Sequence, residues 1–322
     1  MRLLTRILAA ACLTVAGTTA IAQEFPARPI KFIVPFPAGG GTDNLTRLVA
    51  TKLTDTLRWT VVVENKPGAG GNLALETTAK APADGYTLVM AQTDNVVLNP
   101  LLYSKLSYDP VKDLVPVGLV ASGPAVLVVR ADSPYKTLGD VVTAAKAKPG
   151  QLTFASPGIG TVAHLISELW QKSSGMKLTH VPYRGMSQAL PDLIGGQVDM
   201  YMGSIPTLQS QIQGGKVRAL GVTTPTRSAV LPNVPTYTES GIPGVELASV
   251  WGVMAPVGTP QNVIQRLNTE INKILQQPDT REKILASGAG VLGGSPQDMS
   301  NLYTTDRQRL TSVVRDSGTK LD

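Results

Sequence analysis

Cysteine is almost missing. The chain of 322 residues has a single one, Cys12, and it lies in a leader that reads as removable. The exported protein is therefore expected to have no disulfide, no zinc–thiolate site and no cysteine nucleophile. Histidine is nearly as scarce, with two residues, His164 and His180. A nucleophile–base pair or a histidine metal site has little to be built from. The motifs G-x-S-x-G, H-E-x-x-H and the phosphate-binding P-loop are also missing. Catalysis, metal binding and a cofactor are accordingly not expected. Aromatic residues make up 5% and charged residues 16% of the chain. The core must be built mainly from Val, Leu, Ile and Ala, and no basic stripe interleaved with aromatics suggests nucleic acid.

The one long apolar stretch is at the start. "MRLLTRILAAACLTVAGTTAIA" has Arg2 and Arg6, an apolar centre and Ala20-Ile21-Ala22 before Gln23. That is the pattern of a secretory signal cleaved after Ala22. The centre is too short and too interrupted by Thr for a membrane span. A lipid anchor on Cys12 is the alternative; it is weakened by Ala9, where a lipoprotein signal prefers Leu. Losing Arg2 and Arg6 takes Lys+Arg from 29 to 27 against 23 acidic residues, so the net charge falls from +6 to +4. That balance suits small anionic ligands.

Beyond the leader, strand and helix patterns alternate. "IKFIVPF", "WTVVVEN" and "DGYTLVMAQTDN" read as strands, with helices predicted from Thr42 to about Leu57 and from Asn72 to about Lys80. This βαβαβ run predicts a parallel sheet. A second set begins near Ala125 with "AVLVVR" and continues through "QLTFASPGIGTVAHL", "KLTHVPYRG", "QVDMYMGS" and "KVRALGVTT". Residues 225–243 are rich in Pro, Thr and Ser and read as a surface loop. "ASVWGVMAP" then reads as a strand. An amphipathic helix comes next, with Val263, Leu267, Ile271 and Leu275 on its apolar face.

"IVPFPAGGGTDN" (residues 33–44) places three glycines where a strand passes into a helix, and "TFASPGIGTVAHL" (residues 153–165) repeats the design. A tight turn needs only one glycine. Several leave backbone N–H groups open to a ligand, with the positive end of a helix behind them. Open α/β sheets bind ligands at the carboxyl ends of their strands. Two such loops facing each other would clamp one small anion. The expected clamp uses the N–H groups of Gly39–Thr42 and Gly158–Thr161, and a branched side chain at Gly40 would block it. Neither loop contains Arg or Lys.

"RPIKFIVPFPAGGGTDNLTRLVA", "VVVENKPGAGGN", "NPLLYSKLSYDPVKDLVPVGLVA", "AKPGQLTFASPGIGT", "HVPYRG", "GGQVDM" and "GVMAPVGTP", in this order, resemble the Bug family. These are the extracytoplasmic solute-binding proteins of tripartite tricarboxylate transporters. The resemblance covers essentially the whole chain from about Phe25. It implies a type II periplasmic-binding-protein fold with two α/β lobes and a ligand cleft between them. The expected lobes are residues 23–123 plus 248–322, and 124–247. It also implies a periplasmic monomer that binds a small carboxylate, does no catalysis and hands its ligand to a two-subunit membrane permease. The implied ligand-binding residues are Phe36, Ala38, Gly39, Gly40, Gly41, Thr42 and Asp43 in the first loop. Ser156, Gly158, Ile159, Gly160, Thr161 and His164 belong to the second. Thr93, Asp94, Gly203 and Ser204, at strand ends, complete the set, and Gln92 lies in the neighbouring stretch that sets ligand identity. Some roles stay open. Asp43 caps the helix, contacts a ligand amine or orients water. Thr93 and Asp94 serve either ligand or a local cap, and His164 faces either the cleft or the core. An exported α/β enzyme, or a ligand sensor, is the competing reading.

Overall fold

The computed structural model describes residues 25–317. The expected signal segment and Cys12 lie outside the described residues. The chain opens with β1 (Ile30–Val34), α1 (Gly41–Leu57), β2 (Val61–Asn65), α2 (Asn72–Ala79) and β3 (Thr87–Gln92). β2 and β3 flank β1, both parallel to it, as the alternating pattern predicts. β1 is a nearly continuous buried run, as a strand covered on both faces requires. β3 passes into a helical stretch, Asp94–Leu98, and then α3 (Asn99–Leu102).

The strand β4 (Leu114–Arg130) decides the architecture. Its first part, Leu114 to Pro124, pairs antiparallel with β9 (Ala248–Pro256), which also pairs with β3. From Ala125 on, the same strand pairs with β7 (Met200–Ser204) and β8 (Val217–Val222). One strand therefore belongs to both halves. The second half also contains α4 (Leu138–Ala147), β5 (Thr153–Ser156), α5 (Val162–Ser174), β6 (Thr179–Pro182), α6 (Met186–Ile194) and α7 (Ile205–Gln213). The main sheet path is β2-β1-β3-β9-β4-β7-β5-β6. α8 (Gln261–Gln276), α9 (Pro278–Ala286), β10 (Gly290–Val291) and α10 (Pro296–Ser317) close the chain.

Both connections between the halves meet at one hydroxyl. Thr223 Oγ1 accepts from the Ala125 N–H at 2.9 Å and donates to the Leu247 carbonyl at 2.7 Å, while the Thr223 N–H donates to the Ala125 carbonyl at 3.0 Å. Ala125 stands where β4 changes partner, and Leu247 directly precedes β9. The site is fully buried, so each of these bonds replaces one to water, and losing it would leave a costly unpaired group.

The sequence pattern starts a strand only at Ala125 and misses Leu114–Pro124. Pro116 and Pro124 cannot donate to a ladder, and two register shifts interrupt the pairing with β9. The pattern also misses α7, although Pro206 in the first turn is a recognised start signal. The 225–243 loop has no regular helix or strand, as expected, but it is packed. Tyr237 is fully buried and meets Trp170 edge-on at 5.6 Å. On α8 the expected stripe of Val263, Leu267, Ile271 and Leu275 is buried, joined by Ile264 and Ile274.

Candidate ligand cleft

The first glycine loop is braced by its own acid. Gly39 has φ +81°, which favours glycine. Its N–H donates to Asp43 Oδ2 at 2.9 Å. Arg47 Nε and Asn65 Nδ2 donate to the same carboxylate. Burial pushes this carboxyl up, but Arg47, the Gly39 N–H and Asn65 outweigh burial and hold it below its ordinary value. Asp43 thus neither occupies the N-cap position nor lines the cleft. Gly40 is the N-cap, without a side-chain bond, and the helix starts at Gly41.

Thr42, in the first turn of α1, joins a buried network. Its hydroxyl donates to Gln92 Oε1 at 2.5 Å and accepts from Trp251 Nε1 at 2.9 Å; Trp251 Nε1 also reaches Gln92 Oε1 at 3.0 Å. Gln92 Nε2 donates to Asp94 Oδ2. The other Asp94 oxygen accepts from the Val162 N–H at the start of α5. A carboxylate of the chain itself, from the end of β3, therefore caps the second-half helix where sequence reasoning placed a ligand. Thr93 Oγ1 accepts from the Val250 N–H at 3.0 Å and serves the fold.

In the second loop the glycine N–H groups are spent internally. Gly158 N–H donates to Ser156 Oγ and Gly160 N–H to His164 Nδ1. Thr161 is the N-cap of α5, accepting from the His164 N–H and donating to the Gly158 carbonyl. The positive φ of Gly158 and Gly160 shapes this turn. The glycines of the expected two-loop clamp are mostly engaged within the protein: Gly39, Gly41, Gly158 and Gly160 all donate to protein acceptors. Among the described residues no protein acceptor meets the N–H groups of Gly40, Thr42 or Asp43 in the first loop, nor those of Ile159, Thr161 or Ala163 in the second.

Both halves wall one cavity, with about 60 Å³ of room for the centres of water-sized spheres. Of the residues expected to bind ligand, Phe36, Gly40, Gly41, Thr42, Asp94, Thr161 and Ser204 line it, together with Gln92. Ala38, Gly39, Asp43, Thr93, Ser156, Gly158, Ile159, Gly160, His164 and Gly203 do not. Ala38 and Gly39 lie on the exposed rim. The room above Gly203 is taken by the Tyr201 ring. Sequence reasoning missed Met186 and Ser187 at the start of α6, Tyr201 on β7, Thr207 on α7, and Ser249 and Trp251 on β9. The Gly185 turn before α6 repeats the strand–glycine–helix signal and was findable. The strand residues carry no local signal.

The two histidines form one stack on Phe154: His164 lies 4.2 Å from His180, and His180 4.6 Å from Phe154. His180 Nε2 contacts Ser156 Oγ at 2.7 Å. Burial lowers His164 to about 4; burial, with His164 beside it, lowers His180 to about 3. Both stay neutral in the folded protein but take up protons near pH 6.5 when unfolded. Stability is therefore complete above pH 6.5 and falls as the pH drops towards 4. Asp94 opposes this: burial raises it to about 6, so the native state gains a proton first. Glu168 and Asp306, raised by burial, act in the same direction as Asp94. Two shifts of this size would cost about 4 kcal/mol at pH 5. Partial exposure of His180 and the opposing acids reduce the expected net loss to roughly 1–2 kcal/mol between pH 7.5 and pH 5. Urea midpoints at the two values measure it; unchanged or higher stability at pH 5 would contradict the neutral stack.

Two halves that share a crossing strand and wall one cavity make up the two-lobe α/β architecture of the periplasmic-binding-protein fold. Residues 45–319 match the model of the tripartite tricarboxylate transporter family receptor, and the chain belongs to that family. It is 38% identical to BugT of Bordetella pertussis over 301 residues, covering 93% of this chain and 92% of BugT. It is 40% identical over 313 residues to a UPF0065 protein of the tcbD-tcbE intergenic region of Pseudomonas sp. strain P51, covering 96% and 93% of the two chains. Among solved structures, R. palustris Rpa4515 with adipate superposes with a TM-score of 0.90 at 35% identity, covering 92% of this chain and 100% of that one. MatC from Rhodopseudomonas palustris with bound malate gives a TM-score of 0.85 at 33% identity, covering 90% and 100%.

Proposed function

We propose that the protein is a periplasmic receptor that captures a small carboxylate between two lobes and delivers it to a two-subunit membrane permease. It acts as a monomer, leaves its ligand chemically unchanged and needs no cofactor. The lobes are residues 23–123 plus 248–322, and 124–247, and the leader is removed after Ala22. The supporting observation is the start of α1. There the Gly40 and Thr42 N–H groups, unclaimed by protein acceptors among the described residues, border a cavity walled from both halves. A helix N-terminus attracts an anion by its dipole and open N–H groups, without any cationic side chain. The adipate and malate named for the two solved relatives are ligands of the same chemistry.

A thermal-shift screen of the mature protein against mono-, di- and tricarboxylates and amino acids tests this. A true ligand at 100 times its Kd should add about 2.7 kcal/mol of stability, and it should be recovered unaltered after incubation. A panel without one stabilising member would sink the carboxylate reading, and turnover would sink the non-catalytic one.

A further inference from the structure

The cavity keeps a negative charge where a receptor for polyanions would be expected to avoid one. Asp94 lines it and is 3% exposed. Its two protein partners, the Val162 N–H and the Gln92 carboxamide, are neutral donors. Among the described residues no Lys, Arg or His lines the cavity. A buried carboxylate without a cation is costly. Burial raises its value to about 6, which still leaves it ionised at neutral pH.

Asp94 is also near the anion-attracting end of α1. A single carboxamide, that of Gln92, bridges Thr42 Oγ1 to Asp94 Oδ2. Seats for a negative and a positive group therefore lie only a few bonds apart. An independent feature also points to an occupant. Tyr201 is 1% exposed and lines the same cavity, yet its hydroxyl has no partner among the described residues. Burial pushes that phenol far above its ordinary value, so it remains an O–H donor. An acceptor on a ligand in the cavity would satisfy it.

We infer that the ligand is a compact zwitterion, with a carboxylate on the α1 amides and an ammonium group on Asp94. The Tyr201 hydroxyl donates to the ligand's carboxylate. The inference rests on the reading of this cavity as a carboxylate site. It makes Asp94 the residue that accepts an amine and rejects a second carboxylate, since like charges at contact distance in a protein interior repel strongly.

Calorimetry on the mature protein with matched compounds tests this. Alanine, lactate and methylmalonate share one skeleton and differ only in the α-substituent; leucine, 2-hydroxyisocaproate and isobutylmalonate form a larger set. In each set that binds, the amino acid should bind at least tenfold more tightly than the malonate. Asp94→Asn should weaken the amino acid at least tenfold and strengthen the malonate. Tyr201→Phe should weaken binding several-fold. The wild-type ranking decides even if a variant fails to fold. A malonate that equals or beats its amino acid overturns the inference and leaves the carboxylate site standing. So does a protein that binds other carboxylates but neither amino acid. Failure of all carboxylates and amino acids overturns the site itself.

Discussion

Gly41→Val should weaken ligand binding at least a hundredfold while leaving the two halves folded. Gly41 N–H donates to Thr207 Oγ1 at 3.1 Å, across the cavity on α7. A Cβ at Gly41 would sit 2.7 Å from that oxygen, 3.2 Å from the Thr207 backbone N and 3.4 Å from Pro206 Cβ. The hydroxyl could turn away, but the backbone could not, and the γ-carbons of Val would reach further. α1 itself tolerates Val in its first turn, so the damage falls on the approach of α7. Two decades of affinity correspond to about 2.7 kcal/mol. Calorimetry should show the loss. Small-angle scattering should show a larger radius of gyration, and circular dichroism an unchanged spectrum. Gly40→Val should be milder, because a Cβ there meets only the Pro37 carbonyl at 3.6 Å. This reverses the expectation from sequence, in which Gly40 was decisive. Equal or better affinity in Gly41→Val than in Gly40→Val would refute the Thr207 contact as the point of closure.

Trp251→Ala should be the more damaging change to stability, at about 3–5 kcal/mol. The indole is 1% exposed and packs so closely on Gly123 that a Cβ there would lie 2.6 Å from two ring atoms. Gly123 directly precedes the residues where β4 changes partner. The indole N–H also holds Thr42 and Gln92, and Gln92 in turn holds Asp94. Removing the ring opens a cavity at the crossing and frees the carboxamide that orders the cleft. Trp251→Phe keeps most of the volume and loses the donor, so its cost should be about 1–2 kcal/mol, with a further loss of affinity. Urea unfolding of both variants checks this. A cost below about 1 kcal/mol for the Ala variant would mean that the crossing does not depend on the ring.

Much of the fold was legible because its signals are local. The parallel β1–β3 unit, the strand–glycine–helix loops and the apolar stripe of α8 each follow from a few neighbouring residues. Burial on one face or both imposes their periods, and positive φ imposes their glycines. Residues 114–124 were not legible. Prolines and register shifts hide a strand that is held by β9, more than a hundred residues away in the chain.

The cleft divides in the same way. The sequence alone was enough to place helix α1 behind a bare loop and to mark Thr42, Asp94, Thr161 and Ser204. Tertiary structure alone decided what their groups do. It turned Asp43 inward onto Arg47 and Asn65, committed the second loop's glycine amides to Ser156 and His164, and stacked both histidines on Phe154. It also brought the Asp94 carboxylate to the Val162 N–H, and Trp251 to Thr42. The physical reason is that a hydrogen bond between distant segments depends on which buried groups meet, and most such groups find a partner. Local periodicity records which residues are buried, but not which of them meet.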